Sequence, residues 1–450
     1  MTDPDDRITL QSRLNVRRVA AAISVIVLVA IAVGVYLGAY RVLVSAGPRG
    51  VIEIGSDMPT SSAPDASLGR PTQYGEAFAI ARAGSVRGFT LRFVPYDDTV
   101  NGRRDPTKGA QNVLVMGADH HLLGMLGPLQ DGVAAAEIPV ANAAGLAMIS
   151  PAAHDQCLTM DFDYCRSYDG YTAAGLRPTG TNNFFRIAAA DTFQGPAIAD
   201  FAYDTLGVRK VAVLDDEEPF GIVAADTFTA EFMKKGGTVV TRHSYSTIPP
   251  GGQGPAIKPD LHAWLLEAKA ADAQAIYTGV MGSGSYGCVA RAQSQGIFPA
   301  DSYYFGPDWI SGFNHGIADQ QCITDAGAMA NDHMYASFVV GDAILNPGAE
   351  ATIAAYERAY PLESNVFTFA GYDAASILID AIGRAIDANG GKVPTRKQVI
   401  DQLAKTTNYR GLTGTYTFNA NGDPTMPTLQ IEQNQGGTWT PIKNVTIAGL

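Results

Sequence analysis

The chain has 450 residues, 46% of them hydrophobic and 17% charged, with a formal net charge of −12. This is the composition of a globular protein too long for one core, so two lobes are expected. The acidic balance argues against a nucleic-acid partner or an anionic membrane surface.

In chain order the first feature is an uncharged run of twenty-two residues, Val19 to Tyr40, between Arg18 and Arg41. A helix of that length spans about 30 Å, the thickness of a bilayer's hydrocarbon core. Arg7, Arg13, Arg17 and Arg18 precede it, which keeps residues 1–18 in the cytosol. A secretory signal core is usually shorter, about 7–15 residues. The expectation is therefore an uncleaved transmembrane signal anchor over 19–40, a tether over 41–50 and an extracytoplasmic domain over 51–450. Val44-Ser45-Ala46 keeps cleavage, and a secreted or periplasmic product, open as the alternative. The first cysteine is Cys157, so no lipid-bearing cysteine follows the apolar run.

Beyond the tether, strands and helices alternate. Strands are predicted at 51–55, 89–98, 122–128 and 146–150, with helices at 71–83, 106–118 and 132–144 between and after them. An irregular cysteine-containing stretch, 153–182, breaks the rhythm. Strands at 184–187, 210–216, 238–245, 273–280 and 303–307 then alternate with helices at 193–206, 219–235, 259–271 and 286–295. Strands spaced by helices of ten to fifteen residues mean parallel sheets covered on both faces, and two such series mean two doubly wound α/β lobes. The approximate division is lobe 1 over 51–187, lobe 2 over 188–340 and C-terminal helices with a hairpin over 341–450, part of which returns to lobe 1. In the last part Ala374, Ile377, Leu378, Ala381 and Ile382 form one helical stripe. Thr395 and Gln398 read as a capping box, and Asn421-Gly422 reads as the turn of a β-hairpin over 411–424.

The four cysteines fall into two local pairs, Cys157 with Cys165 and Cys288 with Cys322. In an oxidising compartment they read as two disulfides, although four cysteines allow three connectivities. Gly282-x-Gly284-x-x-Gly287 has dinucleotide-fingerprint spacing but sits mid-way through the second series, where a glycine-rich cleft loop is the better reading. Gly127 to Gly132 has phosphate-loop spacing with Val133 where the lysine should be; it still offers backbone N–H groups to a ligand anion. No nucleophile elbow or metal-ligand spacing occurs, and the seven histidines are scattered. Asp97-Asp98 and Asp215-Asp216 end strands and read as caps or cleft residues rather than as acid/base pairs. No enzyme, metal or cofactor is expected.

Several stretches carry a resemblance: DASLGRPTQYG (65–75), FVPYDDTVNGRRDPTKGAQN (93–112), LGPLQDGVAAAEIPVANAAGLAMISPAA (126–153), FRIAAADTFQGPAIADF (185–201) and GLTGTYTFNANGDP (411–424). In this order they resemble the branched-chain amino-acid (leucine/isoleucine/valine) class of type I periplasmic solute-binding proteins of ABC importers, over about residues 51–425. The resemblance implies two similar lobes joined by three strands that close on a small molecule. It implies that a ligand carboxylate is met at Asp131, next to Gly132, and by the Ala152-Ala153-His154 loop. A ligand ammonium would be met by Asp308. Phe220 matches an aromatic position, while Leu68 and Met281 stand where relatives often have aromatics.

The departure at Asp131 changes the expected ligand. Asp131 beside a bound carboxylate would repel it by about 1–4 kcal/mol in a partly wet cleft, and Asp308 adds a second acid. A cationic, polar or amide-like solute is therefore favoured over a free leucine-like zwitterion, unless Asp131 turns away to cap its helix. The resulting expectation is a membrane-tethered solute-binding protein delivering its ligand to ABC permease subunits. The alternatives are an anchored sensor acting through a partner and, less favoured, a hydrolase or nucleotide-binding enzyme.

Overall fold

The computed structural model describes residues 49–61, 65–246, 257–280, 288–311, 320–361 and 363–448. The apolar run Val19–Tyr40, the glycine pattern at 282–287 and Met281 lie outside the described residues. Contacts divide the chain into a short unit, Met1–Val51 with Gly88–Thr90, and a large one, Ile52–Arg87 with Leu91–Leu450. The lobes and the candidate site belong to the large unit.

The first sheet has six strands: β1 (Val51–Met58), β2 (Ser85–Val86), β3 (Phe89–Asp97), β6 (Leu122–Leu126), β7 (Ala147–Ser150) and β8 (Phe184–Arg186), in the order β2-β3-β1-β6-β7-β8. A two-residue ribbon, β4 (Thr99–Val100) with β5 (Arg103–Arg104), stands apart from it. β1, β6, β7 and β8 pair in parallel. Leu122–Leu126 is buried at every residue, because helices cover both faces and leave no side to face water. Helices Pro106–Ala118 and Asp131–Ala143 pack on one face, burying Val113, Met116, Ala134 and Ile138 against β6 and β7.

The second sheet has seven strands. β9 (Lys210–Asp215), β10 (Thr238–Ser244), β11 (Ala275–Gly279), β12 (Tyr303–Gly306) and β13 (Met334–Phe338) are parallel, in the order β10-β9-β11-β12-β13. The chain then returns through the ribbon β14 (Tyr409–Arg410) with β15 (Thr415–Tyr416) and adds β16 (Thr428–Gln435) antiparallel to β13, with β17 (Thr438–Thr446) antiparallel to β16 at the edge. Phe228, Phe232, Tyr277 and Phe305 form the aromatic heart of this lobe.

The long C-terminal helix runs from Thr368 to Ala388 and buries the predicted stripe. It packs along the helix Ala66–Ala83 and so belongs with the first sheet. The Thr395–Gln398 capping box is present. The expected 411–424 hairpin is reduced to its tip: a turn forms at Asn421-Gly422, flanked by the antiparallel bridge Phe418–Pro424 with Asn419 N donating to Asp423 O and Thr425 N to Thr417 O. The reason is competition from β8. The Gly422 carbonyl accepts from Arg186 N at 3.1 Å, and Asp423 accepts from the buried Arg186 Nε at 2.6 Å. Gly422 has φ of +92° and a Cβ there would collide with the Phe184 carbonyl, so only glycine permits this approach.

Candidate functional site

Parallel α/β sheets present ligands at the carboxyl ends of their strands, where the connecting loops meet. Here those ends converge. Asp131 follows β6 and His154 follows β7; Phe220 follows β9, and Asp308 and Trp309 follow β12. Between them lies a cavity of about 270 Å³ whose wall includes Asp131, Gly132, His154, Gln156, Phe220 and Trp309. Phe220 and Trp309 meet edge-to-face, with ring centroids 6.3 Å apart.

Asp131 does not cap its own helix. Its Oδ1 accepts from His154 N at 2.7 Å and from Asp155 N at 3.0 Å, so the carboxylate faces the cavity and staples the loop after β7. The Ala152 and Ala153 N–H groups are also engaged, donating to Ser150 Oγ at 3.2 and 2.9 Å. The 152–154 loop, which the resemblance assigns to a ligand carboxylate, is thus bonded by the chain itself. Neither Ala152 nor Ala153 lines the cavity. Leu68 lies in the helix Ala66–Ala83, buried and away from the cavity wall.

His154 stands among three acids. Its Nδ1 lies 2.8 Å from the Ala152 carbonyl, and its Nε2 lies 3.8 Å from Asp191 and 3.9 Å from Asp308. Burial alone would lower the imidazole, but the Asp191, Asp131 and Asp308 carboxylates together raise it to about 10. Asp308 is fully buried and sits behind the wall rather than in it. A solute in the cavity therefore meets His154 before Asp308. Between Asp308 and the wall stands the His154 ring, its Nε2 3.9 Å from Asp308 Oδ2.

The acids of the wall share one electrostatic problem. Burial raises Asp191 well above the usual carboxylate range. Burial and the neighbouring Asp155 and Asp131 charges raise Asp169 to about 6. Burial, with the Asp131 charge, also raises Asp155. Among the described residues, four carboxylates (Asp131, Asp155, Asp169 and Asp191) line the cavity beside one histidine and no lysine or arginine. Such a wall is short of positive charge.

The rest of the wall comes from the irregular stretch after β7, held by the Cys157–Cys165 disulfide. It supplies Gln156, Tyr164, Tyr168, Asp169 and Tyr171. Gln156 Nε2 reaches Tyr164, its Oε1 is buried without a hydrogen-bond partner, and Tyr171 O–H donates to Asp155. Tyr168 O–H donates across to Glu218 Oε2 at 2.9 Å, tying the first-sheet side to the second. The sequence reading passed over these residues, with Asp191 and Trp309; the clustered tyrosines and aspartates of DYCRSYDGY (163–171) were the available signal. The other cysteines also pair, Cys288 with Cys322, inside the second-sheet core. A larger groove, about 1060 Å³, runs along residues 345–349 and 407–417. Its buried acid Asp373 is already satisfied by Leu412 N, Thr413 N and Thr413 Oγ1, which leaves little to recognise a solute.

The family model described as periplasmic binding protein matches residues 52–438, and the chain belongs to that family. The Leu/Ile/Val-binding protein homolog 3 of Brucella melitensis biotype 1 is 24% identical over 373 residues, 82% of this chain and 87% of its own. A leucine binding protein of Thermotoga maritima superposes with a TM-score of 0.60 at 21% identity, covering 88% of this chain and 99% of that one. An ABC-transporter solute binding protein of R. palustris, solved with benzoate, gives 0.57 at 21% identity, covering 89% and 98%. The expected family class and two-lobed fold are borne out by these matches. At such identities the solved structures speak for the fold alone.

Proposed function

We propose that this member of the periplasmic binding protein family is an extracytoplasmic receptor for a small organic cation, which it encloses between its lobes and delivers to an ABC permease. The observation that carries the reading is the wall itself: four carboxylates, five aromatic rings and no lysine or arginine among the described residues. An ammonium group there relieves the crowded acids and lies against aromatic faces, a contact of about 0.5–2 kcal/mol. A free amino-acid carboxylate finds the 154 and 155 N–H groups taken by Asp131, whose charge repels it by about 1–4 kcal/mol. Leucine and benzoate, the ligands named for relatives, both carry that carboxylate. The Tyr168–Glu218 hydrogen bond supports closure of the lobes, because a ligand favours the closed form only through contacts made there.

The reading includes the anchor. Residues 19–40 would hold the protein in the membrane with residues 51–450 outside, although the run lies beyond the described residues. Among those residues no helix is long and apolar enough to cross a membrane. The test is a thermal-shift and calorimetry screen of the protein against quaternary ammonium compounds, polyamines, leucine and benzoate. Organic cations should bind, and Trp309→Ala should weaken them about three- to thirtyfold, the worth of one aromatic face. Binding of leucine or benzoate in preference to every cation would refute the reading.

A further inference from the structure

The geometry points to a divalent transition-metal site formed by His154, Asp191 and Asp308 just behind the cavity wall. Their donor atoms come from three separate segments and all lie within 4.8 Å of one another, each residue buried. A zinc ion with bonds of about 2.0–2.2 Å needs tetrahedral donors about 3.3–3.6 Å apart. The His154 Nε2 distances of 3.8 and 3.9 Å require a contraction of only a few tenths of an ångström.

Two further observations indicate a bound ion rather than a chance cluster. Asp308 is fully buried, and among the described residues its carboxylate oxygens make no hydrogen bond of good geometry, with the Gln194 side chain and the Trp309 N–H approaching them. Buried carboxylate oxygens in that condition call for a partner; those of Asp98 and Glu137 share the condition, but only Asp308 has a histidine and a second acid within metal-ligand reach among the described residues. The supporting shell is also in place. Ligating histidines usually donate the second ring N–H to a backbone carbonyl, and Nδ1 is so placed against Ala152 O. Buried Gln194 spans both acids: its Nε2 donates to Asp191 Oδ1 at 3.0 Å, and its Oε1 accepts from Asp308 N at 2.8 Å. One side chain thus ties the Asp191 carboxylate to the backbone of Asp308.

One imidazole and two carboxylates suit zinc, cobalt or manganese better than calcium, which takes six to eight oxygens. Coordination through Nε2 needs a neutral ring, so the ion enters in exchange for a proton. Three protein donors leave at least one position for water or for a donor atom of the captured solute. Because His154 and Asp308 come from opposite sheets, the ion would also clamp the lobes.

The site goes beyond the organic-cation reading and is tested apart from it. Full-length, untagged protein in detergent is stripped with chelator and titrated with Zn²⁺ and Co²⁺ in the absence of solute, while solute binding is measured with chelator present. The expected result is one ion per chain, with Ca²⁺ failing to compete. His154→Gln and Asp308→Asn should each weaken uptake about a hundredfold or more, and Gln194→Met about ten- to a hundredfold. His333→Gln, at an exposed His–Asp pair on the surface, should change nothing. Circular dichroism and melting confirm that each variant is folded. Absence of stoichiometric uptake by the parent protein overturns the inference and leaves the His154 imidazolium as the counter-charge of Asp191 and Asp308. Uptake that survives both His154→Gln and Asp308→Asn overturns it equally, by placing the ion elsewhere.

Discussion

Replacing Asp131 separates a carboxylate that serves the chain from one that serves only to repel. Its Oδ1 is the acceptor for the His154 and Asp155 N–H groups, and its charge helps keep His154 protonated. A hydrogen bond to a charged group contributes about 1.5–3 kcal/mol net. Asp131→Ala removes two, but the cavity admits water to the freed N–H groups, so the smaller end of the summed range applies. Local opening of the 153–156 loop should then become easier by about 3 kcal/mol, which is roughly a hundred- to two-hundredfold. Native-state hydrogen exchange reads this directly at amides 154 and 155, with amides in the middle of the helix Asp131–Ala143 as the internal control. Asp131→Ser carries the second half of the reasoning. It withdraws the negative charge and frees the loop N–H groups for a ligand's own carboxylate, so leucine affinity should rise by about tenfold or more, consistent with the removed repulsion. Unchanged exchange at 154 and 155 in the alanine variant, together with unchanged leucine affinity in the serine variant, would refute the role assigned to Asp131.

Three more outcomes are expected. Arg186 is fully buried against Asp423 and also bonds the Asp155 carbonyl and Thr159, so Asp423→Ala should destabilise the protein by about 3–5 kcal/mol in urea, with Arg186→Met/Asp423→Ala less damaged than the single change. Burial raises Asp57 to about 7 and Asp98 and Glu432 to about 8. Groups whose folded pKa is raised favour the folded state at low pH and lose that contribution as pH climbs through the folded value. The urea midpoint should therefore fall between pH 5 and 9, and Asp98→Asn should flatten the slope and gain about 1–3 kcal/mol at the alkaline end. Serine substitution of Cys288 and Cys322, which close a 34-residue loop, should lower stability by about 4 kcal/mol on chain-entropy arithmetic; a loss under 1 kcal/mol would show that the reduced chain is already constrained.

The alternation of strands and helices after residue 51, and with it the two-lobed parallel architecture, was legible from periodicity alone. Strands covered on both faces must be apolar throughout, as Leu122–Leu126 is, and local rules of that kind survive without tertiary information. The Thr395–Gln398 cap and the Thr368–Ala388 stripe were legible for the same reason. Long-range pairing was not. β16 joins the second sheet by pairing with Met334–Phe338, nearly a hundred residues earlier, and carries β17 with it. The Asn421-Gly422 turn kept only the tip of its hairpin, with Asp423 bonded to a buried arginine on β8. At the site, the family resemblance pointed to Asp131, His154, Phe220 and Asp308, which follow the ends of strands, where ligands are met. Only the tertiary structure decided that Asp131 binds the chain's own N–H groups, that His154 stands in front of Asp308, and that the tyrosines of a cysteine-bound loop complete the wall. Burial and proximity between distant segments set charge and access, and neither is written in local sequence.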